Sequence, residues 1–138
     1  MKILVTGAAG FIGSTATLRL LARGDEVVGL DNLNDYYDVR LKEARLARLT
    51  PDPAFRFVRC DVADREAMPR LFADERFDRV VHLAAQAGVR ASWGKDFTSY
   101  AHHNVLATQR LLERYRDEKL QRFVYASSSS VYGDAERY

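Results

Sequence analysis

The stretch from Lys2 to Ser14, KILVTGAAGFIGS, restricts the fold more than any other part of the chain. A short apolar run, Ile3-Leu4-Val5, reads as a buried parallel strand. It runs straight into Gly7, Gly10 and Gly13, after which the apolar spacing turns helical. A chain that leaves a strand, turns sharply and starts a helix gathers unpaired N–H groups and the positive end of a helix dipole at one point. That point suits a pyrophosphate. Gly7 serves the tight turn, Gly10 the close approach of backbone to phosphate, and Gly13 the packing of helix on strand. The spacing is G-x-x-G-x-x-G rather than the commoner G-x-G-x-x-G.

Strand, turn and helix come in the order a dinucleotide site requires, and an acidic residue follows at the required distance. A second apolar run, residues 26–30, ends in Asp31, 18 residues beyond Gly13. A carboxylate at the end of a second strand accepts hydrogen bonds from the adenosine ribose and repels a 2′-phosphate, which favours NAD over NADP. The competing reading is a glycine-rich turn in some other α/β protein, with Asp31 as a strand-end cap.

Composition narrows the class. At 138 residues the chain is one domain by length, and 47% apolar with 29% charged residues is ordinary for a globular protein. A net charge of +2 with both signs interspersed points to neither a nucleic-acid nor a membrane partner. No apolar run approaches 18 residues and no secretory signal is visible, so a reducing cytoplasm is the expected location. The single cysteine, Cys60, excludes an internal disulfide framework and reads as a packed thiol rather than a nucleophile.

Further along, a helix carrying Leu18, Leu21 and Ala22 on one face is expected to end near Gly24. A polar turn after Asp31 leads to a helix rich in Leu, Ala, Arg, Lys and Glu, stopped by Thr50-Pro51-Asp52-Pro53. Phe55–Arg59 reads as a third strand, and Asp64 as the cap of a short helix carrying Met68, Leu71 and Phe72. Residues 80–83 read as a fourth strand. A long helix over residues 97–117 shows two apolar seams, one through Phe97, Ala101, Val105, Leu112 and Tyr115 and one through Tyr100, Ala107 and Leu111. A helix apolar on two sides calls for two partners, the sheet and either a second subunit or further protein, so a homodimer or self-association near residues 97–117 is expected. Residues 123–126 form the last strand. Alternating β and α at this spacing predicts an α/β, doubly wound parallel sheet of order 3-2-1-4-5 with helices on both faces. Gly7, Asp31, Asp61, Ala84 and Ser127 all fall at carboxyl ends of strands, where such sheets bind ligands.

With these pieces gathered, the chain resembles the extended short-chain dehydrogenase/reductase superfamily, in particular its NAD-dependent nucleotide-sugar epimerases and dehydratases. VTGAAGFIG, DNLNDYYD, CDV, HLAAQAGVR and YASSSSVYG carry the resemblance, in order, over nearly the whole chain. DNLNDYYDVRLKEARL and HLAAQAGVR look most like UDP-glucuronate 4-epimerases, and SSSSVYGDAERY is also seen in UDP-glucose 4-epimerase-like members. The resemblance implies a Rossmann-like domain over residues 1–138 with NAD as cofactor. Gly7, Gly10, Phe11, Ile12 and Gly13 would hold its pyrophosphate, and Asp31 and Asn32 its adenosine ribose. Asp61 and Val62 would flank adenine. Leu83, Ala84, Ala85 and Gln86 would line the path to the nicotinamide ribose, ordered by Asn104. Ser128, four residues before Tyr132, would be the catalytic hydroxyl on the sugar 4-OH. Ser127, Ser129 and Ser130 would be capping, cofactor or substrate contacts.

The implied activity is transient oxidation and re-reduction at C4 of a UDP-sugar by retained NAD, with a tyrosine of a Tyr-x-x-x-Lys motif as base. That motif is expected on the helix after Val131-Tyr132-Gly133. The chain is therefore expected to be the N-terminal, cofactor-binding part, to lack the tyrosine–lysine pair and the substrate domain, and to be inactive alone. Ala91 where an aromatic residue is common, Thr15 where histidine is common, and the variable Trp93-Gly94 loop bear on the substrate rather than the cofactor. Arg90 reads equally as a substrate contact or a solvated loop residue. Alternatives are a 4,6-dehydratase or reductase, against which Ser128-Ser129-Ser130 stands in place of Thr-Asp-Glu, a non-catalytic dinucleotide-binding module or truncated folding unit, and assembly with a separate chain that supplies the base. His82 is expected to be a hydrogen-bonded core residue. The adjacent His102 and His103 are expected on different helix faces, and no metal is expected.

Overall fold

β1 (Lys2–Thr6) is the centre of the molecule, paired in parallel with β2 (Glu26–Asp31) on one side and β4 (Arg79–His82) on the other. β3 (Phe55–Arg59) adds to β2 and β5 (Arg122–Tyr125) to β4, which gives the expected order 3-2-1-4-5. The computed structural model describes residues 1–88, 90, 92–116 and 120–134, with the side chains of Ser129 and Ser130 excepted. Among these residues no helix is long and apolar enough to cross a membrane.

Strand pleat divides the apolar residues between two cores. Leu4, Val28, Leu30 and Val80 face a layer built from Met68, Leu71 and Phe72 of α3 (Ala67–Asp74) and Ala107, Leu111 and Tyr115 of α5 (Ala107–Tyr115). Ile3, Val5 and Val27 face Leu21 of α1 (Phe11–Ala22) and Leu46 of α2 (Val39–Leu46). Strands covered on both faces read as continuous apolar runs, which is why β1 was legible as a parallel strand. Asp64 caps as expected, its Oδ1 accepting from Glu66 N and Ala67 N at 2.8 and 2.9 Å.

Three expectations are corrected. Ala22 is exposed, and α1 instead buries Gly13, Ser14, Thr17 and Leu21, a small-residue stripe that brings the helix close to the sheet. The two seams of the long helix divide differently: Tyr115 joins Tyr100, Ala107 and Leu111 in the core, while Phe97, Val105 and Leu112 are exposed. Tyr115 lies one turn beyond Leu111 and packs edge-on against Phe72 and Phe123, with ring centroids 4.8 and 5.6 Å away. Nor is the helix uniform. A four-residue α4 (Phe97–Tyr100) passes into a π-helical segment, Ala101–Leu106, before α5 begins. Ala107 N–H donates to His102 O, five residues back. The expected C-terminal residue Asp117 lies outside the described residues.

Candidate functional site

At the carboxyl ends of β1, β2 and β4 a groove of about 600 Å³ opens, lined by the glycine turn, the Asp31 loop, Asp61-Val62, residues 83–87 and part of α2. The turn that starts it is held by Gly7 N and Ala8 N, which donate to Leu30 O at 2.7 and 3.1 Å. Gly7 has φ +73°, and a Cβ there would come within 2.9 Å of Ala84 N, so only glycine fits between β1 and the strand beside it. Gly13 lies directly on the Gly7 carbonyl, where a methyl would overlap the oxygen. The first bond of α1 runs from Ser14 N to Gly10 O, which leaves the N–H groups of Phe11, Ile12 and Gly13 without an intrahelical acceptor. They and the dipole make the open end of α1 positive. Phe11 and Ile12 themselves are exposed on the groove.

Across from it Asp31 is buried and already engaged: its Oδ2 accepts from Ala9 N at 3.2 Å and its Oδ1 from Leu33 N at 2.9 Å. Asn32 Nδ2 donates to Asp61 Oδ2 at 3.2 Å, which ties the end of β2 to the loop after β3. Asp61 Oδ1 also accepts from Ala63 N at 2.7 Å. Partial burial works to raise the Asp61 carboxyl, but these donors and the facing histidines outweigh it and hold it below the usual carboxylate range. Burial pushes the neighbouring Cys60 thiol up to about 11, aided by Asp64 and Asp61, so it is inert as a nucleophile.

Residues 83–86 are held from below. Asn104 clamps Gln86, accepting from its N–H at 2.7 Å and donating to its carbonyl at 3.0 Å. Asn104 therefore stands behind the groove rather than in it. His82 completes the support. Thr6 Oγ1 accepts from Leu83 N and Ala84 N, so its one proton goes to His82 Nδ1, 2.6 Å away. Thr108 donates to Asn104 O, so its oxygen accepts from His82 Nε2–H at 3.1 Å. Both ring nitrogens are thus assigned and the imidazole is neutral, with burial lowering its pKa to about 4. His82 is the hydrogen-bonded core residue expected from its place in β4.

The groove gathers Gly7, Gly10, Phe11, Ile12, Gly13, Asp31, Asn32, Asp61, Val62, Leu83, Ala84, Ala85 and Gln86. It does not gather Arg90, which is exposed on a turn, or Ser127 and Ser128, which are exposed beyond β5. Ser129 lies in a 3₁₀ turn, Ser129–Tyr132, and the side chains of Ser129 and Ser130 fall outside the described residues.

Lys42 and Arg45 are among the groove residues that sequence reasoning passed over, as charged residues on a polar helix. Lys42 is buried, with Nζ bonded to Asn34 O and Oδ1 at 2.9 and 2.7 Å and lying 3.8 Å from Asp31 Oδ1. Arg45 spans the rings of Phe11 and Tyr37 and bonds the Tyr37 hydroxyl at 2.9 Å. Their i, i+3 spacing beside an aromatic pair, Tyr36-Tyr37, was the available signal.

The expected absence of a tyrosine–lysine spacing is also corrected, by the sequence itself: Tyr115 and Lys119 stand four apart. Tyr115 is buried in the core where α5 ends and β5 is about to begin, opposite the ligand end of the sheet, and Lys119 lies outside the described residues. Tyr115 is therefore not placed to act on a ligand in the groove.

The profile of the NAD dependent epimerase/dehydratase family matches residues 3–138. The chain belongs to that family. It is 48% identical over 134 residues to UDP-glucuronate 4-epimerase 4 of Arabidopsis thaliana, covering 96% of this chain and 30% of that protein. Among solved structures, UDP-glucuronic acid 4-epimerase from Bacillus cereus, in complex with UDP-glucuronic acid and NAD, superposes with a TM-score of 0.88 at 45% identity, over 96% of this chain and 42% of the other. The UDP-Glc/GlcNAc 4-epimerase of Campylobacter jejuni matches with a TM-score of 0.85 at 30% identity, over 99% and 40%. The chain thus spans less than half the length of each of these relatives. The Rossmann-like fold expected from the glycine motif and strand order is the one these structures share.

Proposed function

We propose that residues 1–138 are the NAD-binding portion of a UDP-sugar 4-epimerase, with a UDP-hexuronate the favoured substrate class. The observation that carries the reading is the pairing, across one groove, of a positive helix end with a buried carboxylate, Asp31, at the end of β2. The residues present fit the dinucleotide. Phe11, Ile12 and Gly13 offer N–H donors to a pyrophosphate, and Asp31 and Asn32 offer acceptors to a ribose. Asp61 offers an acceptor to an amino group at the adenine end. When bound, the nicotinamide would take up hydride from the sugar C4 and return it to the other face.

The chain's own part is orientation. Thr6, His82 and Asn104 fix residues 83–86, so that the path along the nicotinamide ribose keeps one shape. Ser128 would hold a proton at the sugar 4-OH. Turnover would need a tyrosine and lysine other than Tyr115 and Lys119, supplied from outside the described residues. The 4,6-dehydratase reading is the alternative within the family, and Ser128-Ser129-Ser130 stands against it.

Calorimetric titration of the protein with NAD and with NADP tests the binding half of the proposal. Saturable NAD binding at least about tenfold tighter than NADP is expected, and Asp31→Asn should narrow the gap. Equal affinities, or no NAD binding by a folded chain, would remove the reading. Assays with UDP-glucuronate and UDP-glucose then separate epimerase from dehydratase by product.

A further inference from the structure

On the π-helical segment two adjacent imidazoles, His102 and His103, face one carboxylate, Asp61 Oδ2, at 3.7 and 3.5 Å from their Nε2 atoms. The two rings meet edge to face with centroids 4.9 Å apart. One ligand atom from each of the three residues falls within 4.8 Å of the other two. Although adjacent, the two side chains converge on Asp61 instead of diverging as expected.

His103 Nδ1 lies 2.9 Å from Ser99 O, and a carbonyl only accepts, so the ring carries a proton there. With Nε2 unprotonated, its lone pair faces the Asp61 carboxylate at a separation too long for a hydrogen bond. That gap suits a positive charge, supplied either by a second proton on the ring or by a cation held between the two groups. Ligands on a tetrahedral ion with bonds of about 2.0–2.2 Å stand about 3.3–3.6 Å apart, close to both carboxylate–imidazole distances. The surrounding contacts are of the kind that orient metal ligands: Nδ1–H of His103 on a backbone carbonyl, and Asp61 held by Ala63 N and Asn32 Nδ2.

We propose that Asp61, His102 and His103 form a binding site for a borderline divalent cation of the Zn²⁺ class at the adenine end of the groove, and that this cation and the dinucleotide exclude one another. Two imidazoles and one carboxylate suit Zn²⁺ and its transition-metal neighbours rather than Mg²⁺ or Ca²⁺. The exclusion follows because Asp61 and His103 line the same groove. An ion on Asp61 takes the acceptor that an adenine amino group would use. This second clause rests on the proposed NAD function; the metal site itself does not.

The test is a calorimetric titration of the intact protein with Zn²⁺, with Co²⁺ as a spectroscopic probe of tetrahedral coordination. One Zn²⁺ per chain is expected, weakened about tenfold or more in His102→Ala and in His103→Ala, with the visible Co²⁺ bands lost in both. His102→Gln, which keeps the side chain's bulk, should lose them too and guards against a folding artefact. Absence of Zn²⁺ binding, or binding indifferent to all three substitutions, overturns the site. Added Zn²⁺ should weaken NAD binding in the wild type and cease to do so in His102→Ala. Zn²⁺ and NAD bound together without mutual effect would overturn the exclusion. Zn²⁺ binding in a folded protein that takes no NAD would instead leave the site standing and remove the cofactor reading.

Discussion

The two halves of the sheet carry similar apolar strands in different surroundings. β1, β2 and β3 lie between α1 and α2 on one face and the α3–α5 layer on the other. β4 and β5 share the α3–α5 layer, but the opposite face of β5 is more open, with Val124 exposed. One register row shows the change: Val5 pairs with Val81 and Val81 with Val124, and exposure goes from 0% at Val5 through half-buried Val81 to 45% at Val124. The three residues are chemically identical, but Val5 and Val81 lie in strands paired on both sides and Val124 in an edge strand, so the difference reflects both cover and place in the sheet. An apolar strand therefore reports what it is built to face, and coverage has to be established separately for each face.

The comparison can be broken most severely at Gly13. Gly13→Val would drive a branched side chain into the Gly7 carbonyl, and a loss of about 4 kcal/mol or more is expected, enough to unfold a marginal domain. Circular dichroism and urea unfolding read it; a folded Gly13→Val protein would show that α1 can lift off β1. Next in size is a pH effect at the seam between the halves. His82 pairs with Thr6 across it, and its native pKa of about 4 lies below the ordinary unfolded value near 6.5. The depressed value means that stability is fully present above about pH 6.5 and falls as the pH drops toward 4, by roughly 3 kcal/mol in all. Urea midpoints at neutral pH and near pH 4.5 measure it, and in His82→Gln the slope over this window should flatten.

The row itself gives the sharpest contrast. Val5→Ala, in the doubly covered half, should cost about 2 kcal/mol through lost burial and a residual cavity. Val124→Ala, two strands away, should change stability by less than about 0.5 kcal/mol. Comparable costs at the two positions would mean that something covers β5 in solution.

The sequence revealed those parts of the molecule in which one residue type has one physical use. The glycine turn, the place of Asp31 at the end of β2, the β3 boundaries and the strand order were all readable, because a tight turn and alternating β and α leave few alternatives. Lys42 was not readable, since a lysine on a polar helix looks solvated until the Asn34 turn folds over it. Tyr115 was assigned to the wrong seam because i+3 and i+4 neighbours look alike without the aromatic contacts that choose between them. The convergence of His102 and His103 was invisible for a different reason. Helical periodicity assumes a constant pitch, and nothing in AHHNVL announces that the pitch changes there. The same blindness hid how Asn104, matched by resemblance, reaches Gln86.

That change of pitch also bears on ancestry. A π segment carries one more residue than the α-helical turn it replaces, so a single-codon insertion or deletion separates the two states. A relative shortened by one residue within 101–106 could keep Tyr100, Ala107 and Leu111 in the core, yet would turn its histidines to a different angle relative to Asp61. Descendants of one gene would then differ in metal sensitivity while sharing every glycine and every strand. The place to look for that divergence is the count of residues between Tyr100 and Ala107.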